Sequence, residues 1–150
     1  MKRLIILIVL LTGALCNVSA QERLRPTHTS TTKSDEIKSF ITQMYNNKLY
    51  EDYDFLQKHC SAELLKKLQD AYPYDTDGTA YATWLFRSGK QDSKPGADNK
   101  TIMLEVKMDG DWFVYTALDM GWKFTNRIKI TSKGGEIIIE DVCAVKNRAH

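Results

Sequence analysis

The sequence is short of the residues that most often announce chemistry. In 150 residues there are three cysteines, three histidines and three prolines. His28, His59 and His150 do not pair at ligand spacing with each other or with a cysteine, so no metal site is expected. Asp75-Thr76-Asp77-Gly78 echoes the start of a calcium loop, but the later ligand positions hold Thr79 and Phe86, and the stretch reads as a turn. There is no G-x-S-x-G, no phosphate loop and no G-x-G-x-x-G, and no cofactor is expected. His59 and Cys60 are adjacent, which seldom lets a nucleophile and its base converge, and His59 is expected to be a solvated loop residue.

An excess of one charge is also missing. Lys+Arg total 21 and Asp+Glu 19, but Lys2 and Arg3 are the only charges before residue 21, so residues 21–150 carry 19 of each sign. Neutrality argues against nucleic acid or an anionic membrane as a partner. The apolar run Leu4 to Leu11 is too short to cross a bilayer, which needs about 20 residues. With Lys2 and Arg3 before it and Val18-Ser19-Ala20 after it, it reads as a secretory signal peptide over 1–20, cut after Ala20. The expected location is therefore exported, in the periplasm or outer envelope, with no transmembrane helix left after cleavage. Lipidation at Cys16 is the less favoured route, because Leu15 is not the small residue that the acylating system needs. Both routes leave Cys60 and Cys143 in an oxidising compartment, where a disulfide between them is possible but not fixed by sequence.

Residues 21–33 hold one large apolar residue, Leu24, and read as a flexible tether. A single domain is expected over 34–146. Ser34 is the expected N-cap of a helix whose apolar stripe is Ile37, Phe40, Ile41, Met44 and Tyr45. Residues 51–58 suggest a short helical or turn segment. Ser61 caps a further helix with Leu64, Leu65, Leu68, Ala71 and Tyr72 on one side, stopped by Pro73. Residues 80–87 fit strand or helix, and 88–100 form a polar loop. From Ile102 the period becomes two. Ile102, Leu104, Val106 and Met108 alternate with Met103, Glu105 and Lys107; Asp109-Gly110 turns the chain. Trp112, Val114 and Leu118 oppose Phe113 and Tyr115 in a second strand over 111–118. Trp122, Phe124, Ile128 and Ile130 share a face in a third over 122–132, and Gly134-Gly135 leads into a fourth over 136–145. Helices followed by an antiparallel meander, apolar on one face, define an α+β class with helices packed on one face of the sheet.

The phrases FITQMY, LQKHCSAELLKKLQDAY, YDTDGTAYATWLFRSGKQD and ALDMGWKFTNRIKI, in that order, resemble a family of small exported Gram-negative proteins known as a domain of unknown function. That family is similar in fold to the nuclear-transport-factor-two-like superfamily (ketosteroid-isomerase-like, cystatin-like). The resemblance covers about residues 34–146. It implies a cone, with N-terminal helices packed on the concave face of a curved antiparallel sheet and an apolar pocket at its open end. Trp84, Phe86, Trp112, Tyr115 and Trp122 are candidates to line or fill that pocket.

Isomerases of that superfamily use a pocket carboxylate facing a phenol or protonated acid. Asp119, Asp141, Tyr81 and Tyr115 have suitable chemistry, but no spacing marks a catalytic set. Asp141 shares strand parity with Ile137, Ile139 and Cys143 and is expected to point inward, with Arg87 or Arg127 as partner. Arg87-Ser88-Gly89-Lys90-Gln91-Asp92 could present amides to an anion or serve as a flexible connection. The pocket candidates are thus Trp84, Arg87, Asp92, Trp112, Tyr115, Asp119 and Trp122. The expected function is a non-enzymatic exported domain that binds a small apolar ligand or an envelope protein through the cone opening, with homodimerisation open. The alternatives are a cryptic isomerase or hydrolase, and an inhibitor or immunity-type protein using a strand edge or the 88–100 loop.

Overall fold

The computed structural model describes residues 32–74 and 77–145. The leader, Cys16, His28, the tether up to residue 31, the Asp75-Thr76 half of the turn and residues 146–150 lie outside the described residues.

Helix α1 spans Lys33–Asn46. Its N-cap is Thr32 rather than Ser34. Thr32 is extended, and its hydroxyl accepts from the Asp35 N–H at 3.3 Å while donating to the Asp35 carboxylate at 2.6 Å. A capping oxygen must sit outside the helix, three residues before the orphan amide, and Thr32 meets that condition. Lys33 therefore belongs to the helix, not to the tether. The stripe Ile37, Ile41, Met44 and Tyr45 is buried as its spacing predicts. A 3-10 turn over Leu49–Glu51 leads to α2, Tyr53–His59, capped by Asp52. Ser61 caps α3, Ala62–Asp70, as expected, and Leu64 and Leu68 are buried. Ala71 is already the C-cap, so the helix stops a little before the residues assigned to it. The 80–87 segment forms neither a strand nor an α-helix but a 3-10 turn, Thr83–Phe86.

Strands β1 (Ile102–Asp109), β2 (Trp112–Asp119), β3 (Trp122–Lys133) and β4 (Glu136–Ala144) make an antiparallel sheet in the order β1-β2-β3-β4. The helices cover one face. Leu56, Leu64, Leu68, Ile41 and Met44 share a core with Phe113, Tyr115, Ala117, Ile128, Ile130, Ile139 and Val142. This is an α+β domain: three α-helices followed by a four-stranded antiparallel sheet.

Strict alternation holds along β2 and β3 and fails in β1 and β4, for one reason. Each outer strand carries a bulge. In β1, Met103 faces Ala117 and Glu105 faces Thr116, which leaves Leu104 as the extra residue. Met103 and Val106 are then the partly buried residues, while Ile102, Leu104 and Met108 are exposed. In β4, Ile139 faces Ile130 and Asp141 faces Lys129, so Glu140 is the extra residue. A bulge reverses the side on which every later side chain falls. Val142 is buried in place of Asp141. Asp141 points outward, where the Lys67 ammonium donates to it at 2.6 Å.

The same reversal separates the cysteines. Cys143 lies on the outer side against the Arg127 guanidinium at 3.1 Å, while Cys60 is buried and bridges to Ile139. Both are free cysteines, so the structure does not contain the possible Cys60–Cys143 disulfide. Burial pushes the Cys60 thiol up to about 12. A thiol raised in this way is stabilised in the folded protein below the free-cysteine range, and that stabilisation is lost as pH rises towards 12. Native protein at pH 8 should therefore react with a thiol reagent at Cys143 and only after denaturation at Cys60, as read by peptide mass.

The β2–β3 turn is the tightest joint. Met120 and Gly121 both have positive φ, at 49° and 83°. A Cβ on Gly121 would lie 2.4 Å from that of Ala97, whereas one on Gly134 would meet open space. Gly121→Ala should lower stability by about 3 kcal/mol, and Gly134→Ala by only about 1 kcal/mol, in chemical denaturation.

Candidate functional site

Asp119 ends β2 on the helix-covered face with its side chain fully buried. A lone carboxylate there would be strongly unfavourable. The chain leaving the 3-10 turn supplies what it needs. Arg87 Nε and a terminal guanidinium nitrogen donate to one carboxylate oxygen at 3.2 and 3.0 Å. The Ser88 N–H and hydroxyl donate to the other at 3.2 and 2.6 Å. Arg87 also reaches Glu51 at 3.7 Å. Burial works against the guanidinium charge, but the hydrogen bonds and charge of Asp119 outweigh it and raise the Arg87 pKa.

The sheet holds the same segment by its carbonyls. Tyr115 donates its hydroxyl to the Phe86 carbonyl at 2.8 Å. The Asn126 amide lies 3.1 Å from the carbonyls of both Leu85 and Arg87. Burial drives the phenols of Tyr115 and Tyr45 upward, so both remain protonated donors, and Tyr45 donates to the Leu118 carbonyl at 2.9 Å. The Arg87–Asp92 phrase thus does receive an anion, and that anion is the chain's own Asp119. The Ser88 amide is spent on Asp119 and the Lys90 amide on the Ser88 hydroxyl at 3.1 Å, so neither is left for an outside guest.

The 88–100 loop is fastened to the β2–β3 turn. The Lys94 N–H donates to the Met120 carbonyl at 3.0 Å, and Trp122 Nε1 donates to the Asp92 carbonyl at 2.9 Å. Lys90 and Lys94 sit over the Trp122 ring at 5.3 and 5.8 Å. On the outside of this anchored segment lies a groove of about 480 Å³ between Ala71, Pro73 and Tyr74 on one wall and Trp84, Arg87, Gly89, Lys90 and Gln91 on the other. Tyr74 is 84% and Trp84 36% exposed, and Tyr72 packs on the Trp84 ring at 5.3 Å. A second, more apolar groove of about 380 Å³ lies towards the start of β2, lined by Ile37, Met108, Phe113 and Ile130 among others.

Of the pocket candidates, Arg87, Asp119 and Tyr115 meet in the buried seam, Trp84 and Arg87 line the groove, and Asp92 and Trp122 pin the loop. Trp112 is not with them. It is on the outer face, under the Arg127 guanidinium at 4.5 Å. Tyr81 accepts from the Gln57 side chain and stacks on Tyr53 at 5.6 Å. His59 is not a loop residue: it ends α2 half-buried, with Nδ1 3.0 Å from the Ile137 carbonyl and its ring packed on Phe55 at 4.6 Å. Asn126 went unnoticed in the sequence, although its parity with Phe124 and Ile128 places it inward. Among the described residues no group of three or more His, Cys, Asp or Glu side chains could hold a metal ion, and no helix is long and apolar enough to cross a membrane.

No family model and no curated protein matches the sequence. Among solved structures, the chain is similar to a protein of unknown function from Bacteroides thetaiotaomicron, with 14% identity and a TM-score of 0.46 over 73% of this chain and 92% of that one. At that level the likeness carries no argument about function.

The seam makes a sharp contrast between two tyrosines. Tyr50 is fully buried, and its hydroxyl has no hydrogen-bond partner among the described residues. Tyr50→Phe should leave stability unchanged or raise it. Tyr115→Phe should cost about 1–2 kcal/mol, because it orphans the Phe86 carbonyl. Paired urea titrations of the two variants give the comparison.

Proposed function

We propose that this is an exported, non-enzymatic binding domain whose site is the groove between Tyr74, Trp84, Arg87 and Lys90. The ligand class is a small flat or apolar body bearing an anionic group. One observation carries the reading: exposed aromatic rings and two cationic side chains line one groove whose floor is anchored to the sheet. Preformed, mixed aromatic and polar clefts of this size are where proteins hold small molecules. Cationic side chains beside aromatic faces favour an anion-bearing guest over a neutral one.

Export rests on the basic start, short apolar run and Val18-Ser19-Ala20 of the leader. The cone-shaped, nuclear-transport-factor-two-like arrangement rests on the order of elements and on helices covering one sheet face. The non-enzymatic reading rests on Asp119. Both its oxygens already accept hydrogen bonds, and its side chain has no exposure, so it is poorly placed to take a proton from a substrate.

The probe is 1-anilinonaphthalene-8-sulfonate, titrated by calorimetry beside neutral N-phenyl-1-naphthylamine. The sulfonate should bind about tenfold more tightly than the neutral dye, and Trp84→Ala or Lys90→Glu should each weaken it about tenfold without lowering the melting temperature. Equal binding of the two dyes, or indifference to both substitutions, would overturn the assignment. A partner protein at the same groove would show as protection of Trp84 and Tyr74 from oxidative labelling in envelope extract without dye binding.

A further inference from the structure

The two edges of the sheet are treated differently. The β4 edge is covered. Cys60 bridges to Ile139, the Ser61 N–H donates to the Ile139 carbonyl at 2.9 Å, and Lys67 reaches the Val142 carbonyl at 2.8 Å. The β1 edge is not. Among the described residues, its backbone meets one outside group, the Asn46 side chain, which accepts from the Met103 N–H at 2.7 Å. An open edge offers unpaired amides and carbonyls to another strand, and proteins usually block it with charge, proline or a cover. Here Ile102, Leu104 and Met108 are 44%, 49% and 60% exposed along it, and β1 contains no proline.

The order of residues decides which strand fits. We propose that β1 pairs antiparallel with β1 of a second copy of this chain about a two-fold axis at Val106, joining the two sheets. In that register Glu105 faces the second copy's Lys107, and Lys107 faces its Glu105. The segment Glu105-Val106-Lys107 is thus complementary to its own reverse. Glu105 and Lys107 already lie on one side of the strand, paired at 2.9 Å within the chain, so both charges are presented to the same face of the joined sheet. Asn46 occupies the Met103 amide and marks where the new ladder ends. An extended peptide of another protein could use the same backbone groups, but a copy of β1 supplies both charge pairs. The surface is separate from the Trp84 groove, so failure of either reading leaves the other standing.

The test is sedimentation velocity on the exported protein over a concentration series, with charge-swapped variants at these exposed positions. The parent should self-associate into a dimer. Glu105→Lys alone and Lys107→Glu alone should each weaken the dimer about tenfold, since like charges then face each other twice. The two single variants mixed together should form a heterodimer, and the double variant should regain the parent's affinity. Far-ultraviolet dichroism should be the same for all. A parent that stays monomeric throughout, or a dimer indifferent to every swap, would overturn the proposal.

Discussion

The structure hangs on one buried carboxylate. Asp119 sits at the end of β2, in the core, and can remain there only because Arg87 and Ser88 come to it. That demand fixes the path of the chain between α3 and β1. It pulls the end of the 3-10 turn onto the sheet, where Tyr115 and Asn126 take up the carbonyls of three successive residues, Leu85, Phe86 and Arg87. An irregular segment buried without such partners would leave polar groups unpaired at a cost of about 1–3 kcal/mol each. The ion pair and the carbonyl clamps therefore act together. They fasten the short 3-10 turn to the sheet as a wall, and the outer side of that wall is the Trp84 groove.

Much of this was legible from residue order alone. Ser61 as a cap, the α1 stripe from Ile37 to Tyr45, the Gly134-Gly135 turn and the shared face of Ile128 and Ile130 follow from spacing, and the structure has them. The pairing of Arg87 with an inward aspartate was legible as one option among several. Parity misled where a bulge intervened. Asp141 and Cys143 lie beyond the extra Glu140, and Leu104 is itself the extra residue of β1, so each falls on the side opposite to its alternation. A bulge leaves no clear mark in a sequence, because its cause is the twist the outer strands need to follow their neighbours. The 3-10 turn at Thr83–Phe86 was illegible for a related reason: its hydrogen-bond partners are on β2 and β3, far along the chain.

The bulge in β1 also ties local geometry to the open edge. It brings Leu104 out and leaves Glu105 and Lys107 together on the outer side, while β4, with its own bulge, is closed by the Cys60-Ser61 segment. One side of the sheet is sealed by its own chain and the other is presented. The groove and the edge thus draw on different parts of the fold: the first on the clamp around Asp119, the second on the register of β1.

The most direct test of the clamp is a double-mutant cycle on Asp119 and Arg87. Asp119→Ala, Arg87→Met and the double variant would be unfolded in urea. A buried, mutually dependent pair predicts a coupling of about 2 kcal/mol or more, with the double variant far less damaged than the sum of the singles. Additive losses would show that Asp119 and Arg87 are stabilised independently, and the account of the wall behind the groove would be wrong.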